Sequence, residues 1–254
     1  MSNAIYDALA TFTPSKTYLE NRVILVTGAS RGIGAALSKA IASLGGQVIL
    51  LAKTVREMEQ IADECVSQGQ LEPAIVPCNL EAATIDDYQT IVDAIANEFG
   101  RLDGVVFNAG LLGELAPIAS YDPVTWAKVF QVNVHSQFLL VQATLPMLAE
   151  SNDASMVFTT SSVGRQGRAY WGAYAASKFA TEGLMQTVAD ELEGTTVRAN
   201  AVNPGRTKTR MRAQAYPAED ASTLPEPGAV IDPFIFLLGP DGREYTGLSI
   251  DAQP

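Results

Sequence analysis

The sequence predicts a doubly wound α/β domain built on a mainly parallel sheet. Three observations carry that expectation. Short apolar runs alternate with amphipathic stretches along most of the chain. The runs are continuously apolar, as strands are when helices cover both faces of their sheet. The segments between the runs are long enough for helical crossovers, which lead to parallel pairing.

The elements follow in order. Arg22 to Thr27 (RVILVT) reads as the first strand, followed by a glycine-punctuated turn and a helix to about Leu44, which Gly45 and Gly46 stop. Gln47 to Ala52 (QVILLA) is the second strand, and a polar helix then runs to about Gln68. Ala74 to Cys78 is a short third strand, Thr84 to Phe99 a helix ending at Gly100, and Asp103 to Phe107 the fourth strand. A long helical region begins near Pro123 and reaches about Glu150. Met156 to Thr160 is strand-like, Trp171 to Leu192 helical, and Thr196 to Val202 a further strand. The expected sheet has seven strands, six of them assigned here. Residues 1–20 form an amino-terminal arm. From Arg206 to Gly228 the composition shifts to charge, alanine and proline. That segment follows a strand's carboxyl end, where ligands bind in open α/β sheets, and reads as a substrate lid. No repeat or low-complexity segment divides the chain, so residues 1–254 are expected to form one domain.

Composition excludes several functions. Hydrophobic residues make up 47% of the chain and charged residues 18%, enough apolar material for a real core. The net charge of -11 repels a nucleic-acid backbone, so no nucleic-acid partner is expected. The two cysteines, Cys65 and Cys78, form no C-x-x-C pair and read as buried or half-buried thiols in a reducing, cytoplasmic setting. Met1 to Glu20 lacks the basic start and apolar run of a secretory signal, and no stretch approaches the roughly 18 apolar residues of a membrane span. His135 is the only histidine. A His-rich metal site is therefore impossible, and a Ser-His-Asp hydrolase would have to use His135 as its base.

The turn after the first strand reads Thr27-Gly28-Ala29-Ser30-Arg31-Gly32-Ile33-Gly34. Gly28, Gly32 and Gly34 let the backbone turn tightly and approach a pyrophosphate. The helix that follows offers free N–H groups and the positive end of its dipole. Strand, turn and helix in this order are the context of a Rossmann-type dinucleotide site. At the end of the second strand, NAD-binding sites usually carry a carboxylate for the ribose 2′-hydroxyl. This chain has Ala52 and Lys53 there, and Arg31 lies in the turn. Two cations and no carboxylate point to NADP(H) in preference to NAD(H).

From this turn onward the sequence resembles the short-chain dehydrogenase/reductase family over nearly its whole length. Asn108-Ala109-Gly110 matches the family's N-A-G motif and Asn133 its helix asparagine. Ser161, Tyr174 and Lys178 match S…Y-x-x-x-K, with the thirteen-residue spacing from Ser161 to Tyr174. Asn203-Pro204-Gly205 matches the P-G motif, and Thr209 the threonine four positions after that glycine. The stretches Asn108 to Gly113, Ser161 to Ala169, Trp171 to Gly183 and Asp251 to Pro254 resemble more closely the YciK-type bacterial oxidoreductases, a group whose substrate is unclear. The resemblance implies cofactor contacts from Gly28, Ser30, Arg31, Gly32, Ile33, Gly34, Lys53, Asn79, Leu80, Asn108, Ala109, Gly110, Tyr174, Lys178, Pro204, Gly205, Thr207 and Thr209. It also implies a homodimer or homotetramer through helices around residues 131–150 and 172–192. Two departures stand out: Asn79 replaces the usual adenine-contacting aspartate, and Asp251 leads into Ala252 rather than glycines.

These residues suit reduction of a small-molecule carbonyl, or oxidation of the alcohol. Tyrosine ionises near 10 when unperturbed, too high for ready proton exchange at neutral pH. Lys178 lies one helical turn after Tyr174, so its charge is expected to stabilise the phenolate. Tyr174 then acts as acid in reduction and base in oxidation, and Ser161 holds the substrate oxygen. The resemblance gives Asn133 a water that links Lys178 to solvent, and gives Lys178 a contact to the nicotinamide ribose. Ser162 and Tyr170 lack the spacing. Two other readings exist: a redox-silent NADP(H) sensor or scaffold on the same fold, and a serine hydrolase on Ser161 or Ser162. Arg206, Lys208, Arg210 and Arg212 make either a cationic lid for an anionic group or a solvated lid edge. Leu111, Leu112, Trp171 and Met211 in the flanking loops hint at a partly hydrophobic substrate.

Overall fold

Strand β1 (Val23–Thr27) lies inside a seven-stranded sheet, paired in parallel with β2 (Gln47–Ala52) on one side and β4 (Gly104–Phe107) on the other. The computed structural model describes residues 2–253. Met1 of the arm and Pro254 of the carboxyl-terminal tetrad lie outside the described residues. Beyond β2 lies β3 (Ala74–Pro77); beyond β4 lie β5 (Ala154–Thr159), β6 (Val197–Asn203) and β7 (Ser249–Asp251). Every strand pair is parallel, so the sheet is more uniform than the mainly parallel one expected. The strand order reverses between β1 and β4. That is the crevice where an open α/β sheet takes its ligand.

Side chains alternate across the sheet and split the core into two layers. Val23 and Leu25 face the cluster under α4 (Ile85–Phe99), α6 (Ser136–Ala149) and α7 (Gly172–Glu191). Ile24 and Val26 face the cluster under α2 (Gly32–Ser43), α3 (Val55–Ser67) and α9 (Asp232–Leu238), the last preceded by the short α8 (Arg210–Ala215). Phe107 and Phe158, register partners on β4 and β5, stack at 4.3 Å between ring centroids. Cys65 and Cys78 are buried free thiols, one in each layer.

Three differences from the sequence reading have physical causes. The arm is not loose: Ser2–Ala10 form a helix, α1, with Ile5 fully buried against the α9 layer and the Tyr6 hydroxyl accepting the Asp251 N–H at 2.9 Å. The long helix from Pro123 is broken into α5 (Pro123–Phe130), a π-helical turn (Gln131–His135) and α6. Such wide turns concentrate at functional sites, and this one carries Asn133. The third strand stops at Pro77, although the Cys78 N–H still reaches the Ala52 carbonyl at 2.9 Å.

At the opposite end of the sheet from the crevice sits a buried ionic knot. Asp153 pairs with Arg22, with Arg198 at 2.5 Å and with Arg243 at 2.9 Å. Three cations around one carboxylate hold its pKa below the usual carboxylate range despite burial, which alone would raise it.

Candidate active site

The glycine turn is shaped by what a side chain would strike. Gly28 has φ +64, and a Cβ there would meet the Ala109 Cα at 2.8 Å. A Cβ at Gly34 would meet the Gly28 carbonyl oxygen at 2.3 Å. The Thr27 hydroxyl accepts the N–H groups of Asn108 and Ala109, each at 3.0 Å, and the Asn108 amide donates to the Thr27 carbonyl at 3.1 Å. The N-A-G segment is thus stitched directly to the glycine turn. Arg31 stands at the N-cap of α2 in extended conformation without capping it by a side-chain bond.

The turn opens into a cavity of about 1110 Å³ along the carboxyl ends of the strands. Ser30, Arg31, Ile33, Lys53, Asn79 and Leu80 line one part of it; Asn108, Ala109 and Gly110 lie between; Ser161, Tyr174 and Lys178 line another. Pro204 and Gly205 complete it together with Thr207 and Thr209 of the 206–228 segment itself. Two of the residues named from the sequence are set back from its walls. Gly34 backs the turn. Asn133 is fully buried, with its amide oxygen accepting the Leu111 N–H at 2.7 Å. Its amide nitrogen donates to the Leu111 carbonyl at 3.0 Å and the Ser177 hydroxyl at 2.9 Å. The side chain therefore clamps the loop that carries Gly110 to helix α7.

Tyr174 and Lys178 begin α7 on one face, as their spacing predicts. The Lys178 ammonium nitrogen donates to the Thr159 carbonyl at 2.7 Å and lies 5.7 Å from the centre of the Tyr174 ring. Burial pushes the Lys178 pKa down to about 8, and Glu182, one turn further on, opposes that. Burial pushes the Tyr174 phenol up to about 12, and the Ser161 hydroxyl pulls it back. The expected lowering of the tyrosine is therefore not met by the protein alone: desolvation of the phenolate outweighs the local donors.

The remaining candidates separate from the site. His135 is exposed and absent from the cavity wall, as are Ser162 and Tyr170. A serine hydrolase has no base there. In the 206–228 segment, Arg212 pairs with both carboxylate oxygens of Glu219 at 2.6 Å, Arg206 approaches Glu219 at 3.8 Å, and Lys208 pairs with Glu226 at 2.5 Å. Among the described residues Arg210 has no acidic partner. The sequence reading counted these cations without Glu219 and Glu226, whose acidic character in the same segment was the available signal.

The family model for short-chain dehydrogenases matches residues 22–220. The chain belongs to the short-chain dehydrogenase family. The uncharacterized oxidoreductase YciK of Escherichia coli K12 is 46% identical over 243 residues, 96% of each chain. A short-chain dehydrogenase from Shigella flexneri 2a, crystallised with NADP, shares 45% identity over 94% of this chain and 100% of its own, with a TM-score of 0.92. Another from Escherichia coli CFT073, crystallised with NADPH, shares 47% identity over 95% of this chain and 100% of its own, with a TM-score of 0.92. Like other members of this oxidoreductase family, the protein carries a single doubly wound sheet. No helix among its described residues is long and apolar enough to cross a membrane.

Proposed function

We propose that the protein reduces a carbonyl compound with NADPH, or oxidises the corresponding alcohol, with Tyr174, Lys178, Ser161 and Asn133 as its active residues. The observation that carries this reading is that Ser161, Tyr174 and Lys178 line the cavity that the glycine turn opens.

The residues fit the cofactor. Gly28 and Gly34 let the turn pack directly against the Asn108–Ala109 segment and against itself, which sets the amino end of α2 at the cavity where a pyrophosphate would bind. Arg31 and Lys53 line the cavity with no carboxylate at the end of β2, and Lys53 keeps only a loose 3.9 Å pairing with Glu81. Two similar structures are complexes with NADP or NADPH. Bound NADPH supplies the hydride. Ser161 and Tyr174 orient the substrate oxygen, and Tyr174 holds the proton that this oxygen takes up. Lys178 places positive charge beside the phenol, and Asn133 fixes the Gly110–Leu111 loop against α7. Residues 206–228 act as the lid. Exposed Phe138 and Phe179, on α6 and α7, support assembly as a homodimer or homotetramer through those helices. The buried free thiols suit the cytoplasm.

The test is a fluorescence titration with NADPH and NADH, followed by turnover on a carbonyl panel. Tighter NADPH binding that is lost when Arg31 and Lys53 are changed to Ala supports the reading. Equal or better NADH binding overturns the cofactor assignment. Binding of NADPH without turnover of any carbonyl favours the sensor reading.

A further inference from the structure

Three aromatic rings run in a row from the proposed proton donor to the lid. Trp171 lies between Tyr174 and Tyr216, 5.8 Å from each by ring centroids, tilted 60° to the first and 41° to the second. Leu112, Met211 and Ala215 complete an apolar wall on the cavity. A carbonyl held at Tyr174 and Ser161 therefore has aromatic surface, not water, beside its nearest substituent.

Two of the cations beside this wall, Arg212 and Arg168, are committed to it, while Arg210, which also lines the cavity, has no acidic partner among the described residues. The Arg212 guanidinium lies 3.7 Å over the Tyr216 ring while both oxygens of Glu219 hold it. Arg168 donates to the Tyr216 hydroxyl at 2.6 Å. Stacking on one side and a hydrogen bond at the tip brace the ring, one from the short helix Arg210–Ala215 and one from the loop that carries Arg168. An anionic substrate would have to take Arg212 from Glu219 and from the ring together. These two cations hold Tyr216 in place more readily than they receive an anion.

We infer that the substrate is an extended carbonyl compound with an uncharged apolar substituent, and that Trp171 and Tyr216 are the residues that select it. The inference rests on the reductase reading above and narrows it to a substrate class.

The experiment compares kcat/KM, with NADPH saturating, for 4-methylbenzaldehyde, its anionic para-carboxylate counterpart 4-carboxybenzaldehyde, and propanal. Discrimination by an apolar pocket runs from about ten- to a few hundred-fold, so the neutral aryl aldehyde is expected to exceed both others by about tenfold or more. Trp171→Ala and Tyr216→Ala should each reduce its advantage over propanal to about threefold or less, mainly through KM. Tyr216→Phe keeps the ring and should retain most of it, which separates lost wall from lost fold. Equal or better use of 4-carboxybenzaldehyde overturns the substrate class. An unchanged aryl-to-propanal ratio in both alanine variants overturns the role of the two rings.

Should NADPH bind and neither these aldehydes nor any carbonyl of the wider panel turn over, the reductase reading fails, and the wall is read directly. Trp126→Phe leaves Trp171 as the sole tryptophan. With NADPH bound, a saturable change in Trp171 emission on adding 4-methylbenzyl alcohol, and none with 4-(hydroxymethyl)benzoate, supports the wall. The reverse order, or no response to either, overturns it.

Discussion

Replacing Lys178 by Met removes one buried positive charge beside the phenol proposed to give up its proton, with little change of length or shape. The ammonium lies 5.7 Å from the Tyr174 ring centre. A unit charge at that range, with an effective dielectric constant of about 20, is worth about 3 kcal/mol to a phenolate. That is about two pK units and about a hundredfold in rate, if the phenolate charge is nearly full in the transition state. The assay is kcat with NADPH and substrate both saturating, so that any lost ribose contact appears in KM instead. The pH dependence sharpens the test. Lys178 ionises near 8 in the folded protein, so its charge is present below that value and lost above it. The gap between parent and variant should be widest near neutral pH and close as pH rises through about 9, because the parent lysine is then neutral as well. A variant within about fivefold of the parent at neutral pH, or a gap that stays constant with pH, would refute the electrostatic role.

Other perturbations probe the fold and the turn. Gly34→Ala puts a Cβ 2.3 Å from the Gly28 carbonyl oxygen, so NADPH affinity should fall about tenfold or more, with about 1–3 kcal/mol lost in a denaturant melt. Unchanged affinity would mean the turn does not hold the pyrophosphate. Asp153→Ala leaves Arg22 and Arg198 buried without their carboxylate and should cost roughly 3–5 kcal/mol, a fall on the order of 10 °C in Tm. Arg243, largely exposed, should cost far less when changed to Ala. Asp153 and Asp103 both titrate below their ordinary range in the folded state. Their stabilisation is present above the unfolded value of about 4 and lost as pH falls through the folded values, so a Tm series toward acid should decline more steeply in the parent than in Asp153→Ala. Glu182→Gln removes the carboxylate that supports the charge of Lys178, so the alkaline limb of the kcat profile should move to lower pH. Glu182→Asp should restore it in part.

Much of this protein was legible from local signals. The six assigned strands fall within a few residues of their expected limits, because a strand buried on both faces must be a continuous apolar run. The glycine turn, the N-A-G segment and the S…Y-x-x-x-K spacing named residues that line one cavity, because spacing along a strand or helix fixes where side chains point. Other features depended on partners distant in sequence. That the arm folds as α1 depends on the surface against which Ile5 is buried. The π-helical turn at Asn133 has no period of its own in the sequence, and the clamp on Leu111 becomes visible only once two loops meet. Three of the four cations at 206–212 read as free charge until folding brought Glu219 and Glu226 to them. The direction of the Tyr174 shift likewise came from burial, a property of the packed whole. The sequence by itself determined the order of elements and the identity of the chemical groups, since both follow from short-range pattern. Only the tertiary structure decided how those groups are charged, clamped and walled, since desolvation and pairing depend on what the rest of the chain places around them.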